Sequence, residues 1–267
     1  MRTGFAVPVP PPASYWIFAF VAAALVAGPT RVGAQVDTRW PQHSLDRPQP
    51  PVVAPAPYEQ PTGHPADAIV LFDGHDLSKW RSDKDGPANW IVKDGYFQVN
   101  PGTGTIHTAQ AFGDIQLHIE WRAPTPPTGE SQERGNSGVF LQGLYEVQVL
   151  DSYQNPTYAD GAAGSVFGQY PPLVNPTRPP GQWNVYDIVF HHPRFDASGQ
   201  VTAPARITVF FNGVLVQNDV PLTGPTAYQQ RPPYQRTPDA LPLGLQDHSY
   251  PVRFRNIWVR ELHDQER

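Results

Sequence analysis

Residues 135–152 read GNSGVFLQGLYEVQVLDS, and the second half of this stretch has the texture of a buried β-strand. Tyr145, Val147, Val149 and Leu150 are apolar or strand-forming, yet Glu146, Gln148 and Asp151 are set among them. Side chains alternate between faces along a strand. Glu146 and Gln148 therefore share one face, roughly 7 Å apart at about 3.3 Å per residue. Asp151 has the wrong parity and joins that face only if a β-bulge adds a residue after Gln148. Two acids and an amide on an apolar strand cost free energy when buried without partners, which points to a wet, concave site. The plainer alternative is an edge strand with a solvated polar face.

The same two-residue alternation recurs on both sides of this stretch. AIVLF (68–72) is a short apolar strand, and NWIVKDGYFQVN (89–100) reads as a hairpin about Lys93-Asp94-Gly95. In DIQLHIEWR (114–122), Ile115, Leu117, Ile119 and Trp121 point one way; Gln116, His118, Glu120 and Arg122 point the other. YDIVF (186–190) and RITVFFNGVLVQND (206–219) follow, the second a hairpin about Asn212-Gly213. The apolar phase of VRFRNIWVREL (252–262) changes between Phe254 and Ile257, which predicts a bulge near Arg255-Asn256. No stretch has a convincing 3.6-residue period. Many short strands joined by Gly- and Pro-rich turns predict an all-β sandwich or barrel. Residues 153–182 and 220–242 are long Pro-rich insertions, expected to shape the mouth of a groove.

The chain has 267 residues, formal charge −5 and no cysteine. That length allows one sizeable domain with extensions. The acidic balance and the lack of a basic run give nucleic-acid binding no electrostatic support. Without cysteine there is no disulfide, thiolate metal site or cysteine nucleophile. Arg2, the apolar run Tyr15–Gly28 and the small residues of Val32-Gly33-Ala34 read as a secretory signal peptide over 1–34, cut before Gln35. The run is about 14 residues, short of the about 20 that a membrane span needs. A periplasmic or secreted protein with no stable membrane span after cleavage is expected, an uncleaved anchor being the alternative. Residues 35–66, rich in proline, read as an extended linker, and residues 67–264 as the folded domain.

GNSGVFLQGLYEVQVLDS resembles the signature of the 3-keto-disaccharide hydrolase domain family, formerly a bacterial domain of unknown function. LFDGHDLSKW (71–80), GQWNVYDIVFHHPRFD (181–196) and LPLGLQDHSYPVRFRNIWVREL (241–262) resemble the same family in the expected order. The resemblance implies a concanavalin A-like, laminarinase-type jelly-roll β-sandwich and a carbohydrate substrate. Laminarinase-type glycosidases carry E-x-D-x-E or E-x-D-x-x-E on the catalytic strand; here the pattern is E-x-Q-x-x-D, with Gln148 in place of the central acid.

A ketone at C3 of a glycoside acidifies the C2 proton, so a base can remove it and the enolate can expel the C1 oxygen. Such a route needs one base, an enolate stabiliser and an acid for the leaving group. Glu146 or His248 is the expected base, with Asp151 the further catalytic acid. Gln148, Asp151 and Asp247 are expected to orient the sugar or hold a divalent metal cation. Arg134 and Asn136 are expected to stabilise the enolate oxygen, and Asn136 and Ser137 to hydrogen-bond sugar hydroxyls. Gln246-Asp247-His248 is either a set of acid/base or metal ligands or ordinary turn chemistry before Pro251. Glu120 enters the same groove if its strand neighbours 145–151; otherwise Glu120 and His118 are expected on a solvated outer face. Trp80, Trp90, Trp183 and Tyr145 are candidates for sugar stacking, or core. His191 and His192 cannot share one ion, because adjacent strand side chains point to opposite faces. The alternative from another class is a non-catalytic carbohydrate-binding module on the same fold.

Overall fold

The computed structural model describes Met1, residues 35–58 and residues 63–263. The expected signal peptide thus lies, Met1 apart, outside the described residues. The first strands are β1 (Ile69–Phe72), β2 (Trp80–Ser82), β3 (Ile91–Lys93), β4 (Tyr96–Gln98), β5 (Ile106–Phe112) and β6 (Ile115–Arg122). Next come β7 (Ser137–Leu141), β8 (Tyr145–Val149), β9 (Asn184–His191), β10 (Arg194–Phe195) and β11 (Val201–Ala203). The last are β12 (Arg206–Phe211), β13 (Val214–Pro221), β14 (Leu241–Leu245) and β15 (Arg253–Glu261).

These strands build an all-β sandwich. The larger sheet runs β13-β12-β9-β6-β15-β4-β3, with β1 also paired to β15; the smaller runs β2-β5-β14-β7-β8. Alternation sorts the side chains as expected. Ile115, Leu117, Ile119 and Trp121 of β6 face Tyr145, Val147 and Val149 of β8 across one buried core. Tyr186 of β9 spans the layers, its hydroxyl donating to the Gln148 carbonyl at 2.6 Å. The Asn212-Gly213 turn has φ of +53° and +79°, the left-handed pair that a tight hairpin requires. The bulge expected in the last strand is present: the register of β15 shifts between Arg255 and Trp258, with Asn256 at φ +45°.

Three expectations are corrected. The stretch read as a linker is not free: residues 35–58 lie along the domain. Val53 and Asn175 bridge main chain to main chain, with Asn175 also donating to Pro51. Gln42 and Gln49 donate side-chain amides to the Ala227 and Thr157 carbonyls. Proline leaves few backbone donors to satisfy, so an extended segment can dock through scattered side chains. Second, the polar face of β6 is not solvated, and β6 belongs to the opposite sheet from β8. Glu120 is fully buried there, bonded to Arg255, Tyr58 and Asn256 at 2.7, 2.7 and 2.8 Å. Third, no bulge follows Gln148. The β7–β8 ladder is regular from Tyr145 to Val149, and the strand ends there.

The arm's far end rests on Tyr58, whose hydroxyl donates to Glu120 and accepts from Arg255. Hydrogen bonds to charged groups contribute about 1.5–3 kcal/mol. Tyr58→Phe is expected to lower stability by about that amount in urea unfolding and to open the arm to protease near residue 58. Unchanged stability and an uncut arm would show that Tyr58 does not pin it.

Candidate active site

The strand β8 presents Glu146 and Gln148 on the outer face of the smaller sheet, and it is not an edge. Its far side is sealed by residues 164–167: Gln148 donates its amide to Ser165 and accepts from Gly164, both at 3.0 Å, and Phe167 donates to Glu146 at 3.2 Å. Over this face lies a cavity of about 750 Å³. Its floor is Glu146, Gln148 and Phe140; its walls come from five separate segments, one of them carrying Gln246 and His248. The 131–137 turn gives Gln132 and Asn136. The first Pro-rich insertion gives Tyr158 and Phe167, the second Thr226 and Tyr228. The arm gives His43. Both insertions expected to shape the mouth therefore do so.

Glu146 is the centre of this geometry. The residue is 6% exposed, and no group among the described residues hydrogen-bonds its carboxyl oxygens. Burial alone pushes it up to about 8, because desolvation disfavours the ionised form. Gly138 on the neighbouring strand makes the room: a Cβ there would collide with Glu146 Oε1.

Gln148 is oriented by a chain of amides. Gln132 Nε2 donates to the Gly161 carbonyl and to Thr157 Oγ1. A carbonyl only accepts, so Gln132 must turn its Oε1 to Gln148, which donates its Nε2 at 2.9 Å. Gln148 Oε1 is then left buried with no partner among the described residues, as is Gln246 Oε1. Both residues line the cavity. Two unmatched acceptors beside a carboxyl suit a ligand rich in hydroxyl donors.

The other expected site residues divide. Asn136 lines the cavity and donates to the Gln132 carbonyl at 2.9 Å. His248 is at the rim, exposed, its ring parallel to Tyr250 at 6.0 Å. Ser137 is buried with its hydroxyl given to the Gln246 carbonyl, so it positions Gln246 and has no proton left for a sugar. Asp247 does turn chemistry: Gly102 and Gly104 donate to its Oδ2 and Ser249 to its Oδ1. Asp151 does not converge with Glu146; without the bulge it turns to Arg134, which bonds it at 2.7 Å and also holds the Tyr153 carbonyl. Neither lines the cavity. Glu120 is in the other sheet, and Tyr145 is core, packed on Phe190 and Tyr234. Trp80 and Trp90 are core as well, whereas Trp183 stacks on Arg255. Gln148, Asp151 and Asp247 thus share no donor set for a cation. Among the described residues no three His, Asp or Glu side chains gather to hold a metal.

Sequence reasoning missed Gln132, Tyr158, Phe167, Tyr228 and His43. No periodic pattern marks His43, which stands in QVDTRWPQHSLDR (35–47) ahead of the proline cluster that begins at Pro48.

Comparison with known proteins agrees with this architecture. Residues 67–260 match the family of the 3-keto-alpha-glucoside-1,2-lyase-like domain. A 3-keto-disaccharide hydrolase of Bacteroides thetaiotaomicron is 26% identical over 166 residues. That match takes in 48% of this chain and 54% of the relative, so the chain spans about half the length of that protein. A crystal structure of a candidate glycosyl hydrolase from Parabacteroides distasonis is 52% identical, covers 81% of this chain and 93% of its own, and superposes with a TM-score of 0.73. A second from the same organism, 20% identical with a TM-score of 0.53, shares the fold. Among the described residues no helix is long and apolar enough to cross a membrane.

The raised Glu146 pKa has a consequence for stability. In the unfolded chain the carboxyl ionises near 4.5, in the folded one near 8. Below the lower value both states are protonated and nothing is lost. Between the two the unfolded chain releases a proton that the folded chain keeps, so stability falls as pH rises; above about 8 the loss is complete. Glu146→Gln is expected to match the parent near pH 4 and exceed it by on the order of 2–4 kcal/mol near pH 8. Equal unfolding free energies at both pH values would show that the carboxyl is not desolvated.

Proposed function

The chain belongs to the 3-keto-alpha-glucoside-1,2-lyase-like domain family, and from that premise we propose that it is an exported carbohydrate-active enzyme that cleaves 3-keto-glycosides. The observation that carries this reading is a desolvated carboxyl, Glu146, with no second buried carboxylate lining the cavity among the described residues. Ordinary glycosidases flank the anomeric carbon with two carboxyl groups. Here the other acid of the lining is Glu133, exposed at the rim and bonded by the Tyr250 hydroxyl at 2.5 Å. One buried proton-transfer group suits elimination, in which the ketone does the activating. The C2–H bond breaks and its electrons form the enolate. The enolate expels the C1 oxygen, which leaves with a proton, and water then adds at C1 so that the net change is hydrolysis.

Glu146 is the proton-transfer residue in this scheme. Gln148 and Gln246 take sugar hydroxyls on their unmatched oxygens, and Asn136, held by Gln132, adds a polar wall. His248, open to solvent at the rim, is less suited to proton transfer than a desolvated group inside the cavity. Arg134 and Asp151 act behind the site by fixing the turn that carries Asn136. No step is routed through a metal, because the residues expected to hold one do not share a site.

Purified protein is expected to cleave 3-keto-trehalose or 3-keto-lactose and to leave the parent disaccharides intact under the same conditions. Keto-sugar in deuterated water should acquire deuterium at C2. Glu146→Gln should lower turnover about 10²–10⁴-fold, the usual contribution of a positioned acid or base. Equal cleavage of keto- and parent sugars without exchange would return the protein to the ordinary glycosidases. Tight sugar binding without cleavage would make it a binding module. Export rests on the apolar run Tyr15–Gly28 and the small residues before Gln35. Intact mass of the protein from its native cell should correspond to a chain beginning at Gln35; retention of Tyr15–Gly28 would show an anchor.

A further inference from the structure

We propose that His43, carried into the cavity by the N-terminal arm, is a catalytic residue of this site, exchanging protons with the same keto-sugar opposite Glu146. The inference rests on the 3-keto-glycoside reading above and goes beyond it in assigning the second group and the direction of each proton.

The geometry around His43 is built for a ring, not for a linker. The residue has φ +62°, a left-handed conformation that costs a side-chain-bearing residue free energy and persists only where surroundings enforce it. The enforcement is visible. The main-chain N–H of His43 lies 3.1 and 3.2 Å from the two oxygens of buried Asp160. The preceding Gln42 reaches into the space left by Gly168, where a Cβ would collide with its side-chain nitrogen. The imidazole lies against Tyr158 at 4.3 Å, Tyr228 at 4.9 Å and Phe167 at 4.9 Å. Yet Nδ1 and Nε2 are both buried without a hydrogen-bond partner among the described residues. A half-buried imidazole with its main chain fixed, three rings against it and both nitrogens buried and unused is incomplete without a ligand. Glu146 shares this cavity, and the two are linked through Phe167, whose N–H bonds the Glu146 carbonyl.

The resting proton positions then assign the roles. The groups facing His43 are Asp160, Tyr158 and Tyr228. Burial lowers the imidazole below its ordinary 6.5, outweighing the Asp160 charge that would raise it. Burial raises Glu146. Near neutral pH the carboxyl holds a proton and the imidazole does not, so the cavity rests with one acid and one base. His43 takes the C2 proton as the C2–H electrons pass into the enolate. The enolate collapses, the C1–O bond breaks, and the departing oxygen takes the Glu146 proton. This leaves an imidazolium, a carboxylate and a C1=C2 enone. Water adds at C1 and gives its proton to the Glu146 carboxylate, while His43 returns its proton to C2. Both groups are restored and the net reaction is hydrolysis.

Leaving-group chemistry separates the two residues. The full chain and its variants are assayed on 3-keto-trehalose and on p-nitrophenyl 3-keto-glucoside, whose leaving oxygen needs no proton, with C2 exchange followed in deuterated water. His43→Gln is expected to lower exchange and the cleavage of both substrates by about 10²-fold or more. Glu146→Gln is expected to lose a similar factor on 3-keto-trehalose and a clearly smaller one on exchange and on the nitrophenyl substrate. In His43→Ala, added imidazole should restore exchange. The rising limb of the kcat/KM profile, which reports the unprotonated imidazole, should vanish, while the falling limb near pH 8 remains. Undiminished exchange in His43→Gln, or a loss that imidazole does not restore, would overturn the assignment while leaving the 3-keto-glycoside reading standing. A parent protein that cleaves neither keto-substrate would overturn that reading, and this one with it.

Discussion

Everything at this site follows from keeping one carboxyl dry. Glu146 stands on a sheet face that most sandwiches leave to water, and its strand is sealed on one side by β7 and on the other by residues 164–167. Gly138 leaves the volume its carboxyl occupies. The walls around it come from segments far apart in the chain: the 131–137 turn, two Pro-rich insertions, the 246–248 segment and the arm. Among the described residues no charged group bonds this carboxyl. The arrangement opposes stability at neutral pH, because the folded state must retain a proton that the unfolded chain gives up. A large aromatic core, with Trp121, Tyr186 and Phe211 packed on one another, offsets that loss and lets the floor be specialised for chemistry.

The arm is held at the other sheet by a different device. Across the outer face of the larger sheet guanidinium groups and aromatic rings alternate: Arg253, Tyr96, Arg122, Trp183, Arg255, Tyr58, Arg178. Successive separations run from 4.1 to 5.7 Å. Each such pair contributes about 0.5–1 kcal/mol at an exposed site, so the row as a whole can fix the end of a segment that has few backbone hydrogen bonds of its own. Glu120 is the carboxylate buried under this row. Burial would raise it, but hydrogen bonds with His118, Asn256, Tyr58 and Arg255 prevail and hold it at about 2. His118 shows the converse: burial would lower it, but Asp187 and Glu120 raise it to about 9. This cluster pairs its charges where the cavity leaves its carboxyl alone, which separates a structural polar network from a reactive one.

How much of this was legible in the sequence depended on range. Alternation marked Ile115, Leu117, Ile119 and Trp121 as core, the Asn212-Gly213 hairpin followed from turn chemistry, and the phase change after Phe254 located a real bulge. These are local rules, and local geometry obeyed them. The E-x-Q pattern put Glu146 and Gln148 on one face for the same reason. What failed was long-range. Parity could say that Asp151 needed a bulge, but not that Arg134 would capture it from the preceding turn. The polar face of β6 looked solvated because the arm that covers part of it was read as a linker. Proline suppresses every periodic signal by which a docked segment announces itself, so His43 and Tyr58 went unread although one lines the cavity and the other anchors the arm.

The substitution at position 148 ties these strands together. An aspartate there would stand on the same face as Glu146, two residues away at about 3.3 Å each. Two carboxyls at that spacing in a dry site push their titrations apart, one ionising early and one late. That is the arrangement for cleaving an unactivated glycosidic bond with paired acids. Glutamine keeps the shape and removes the charge. It spends its donor on Gln132 and leaves its acceptor for a ligand, while Glu146 titrates without a neighbouring carboxylate to split its proton affinity. A site so simplified cannot draw its second proton carrier from the same strand. On the proposed reading it takes it from elsewhere in the fold: the arm, held at Asp160 and at Glu120, brings the His43 imidazole to the cavity.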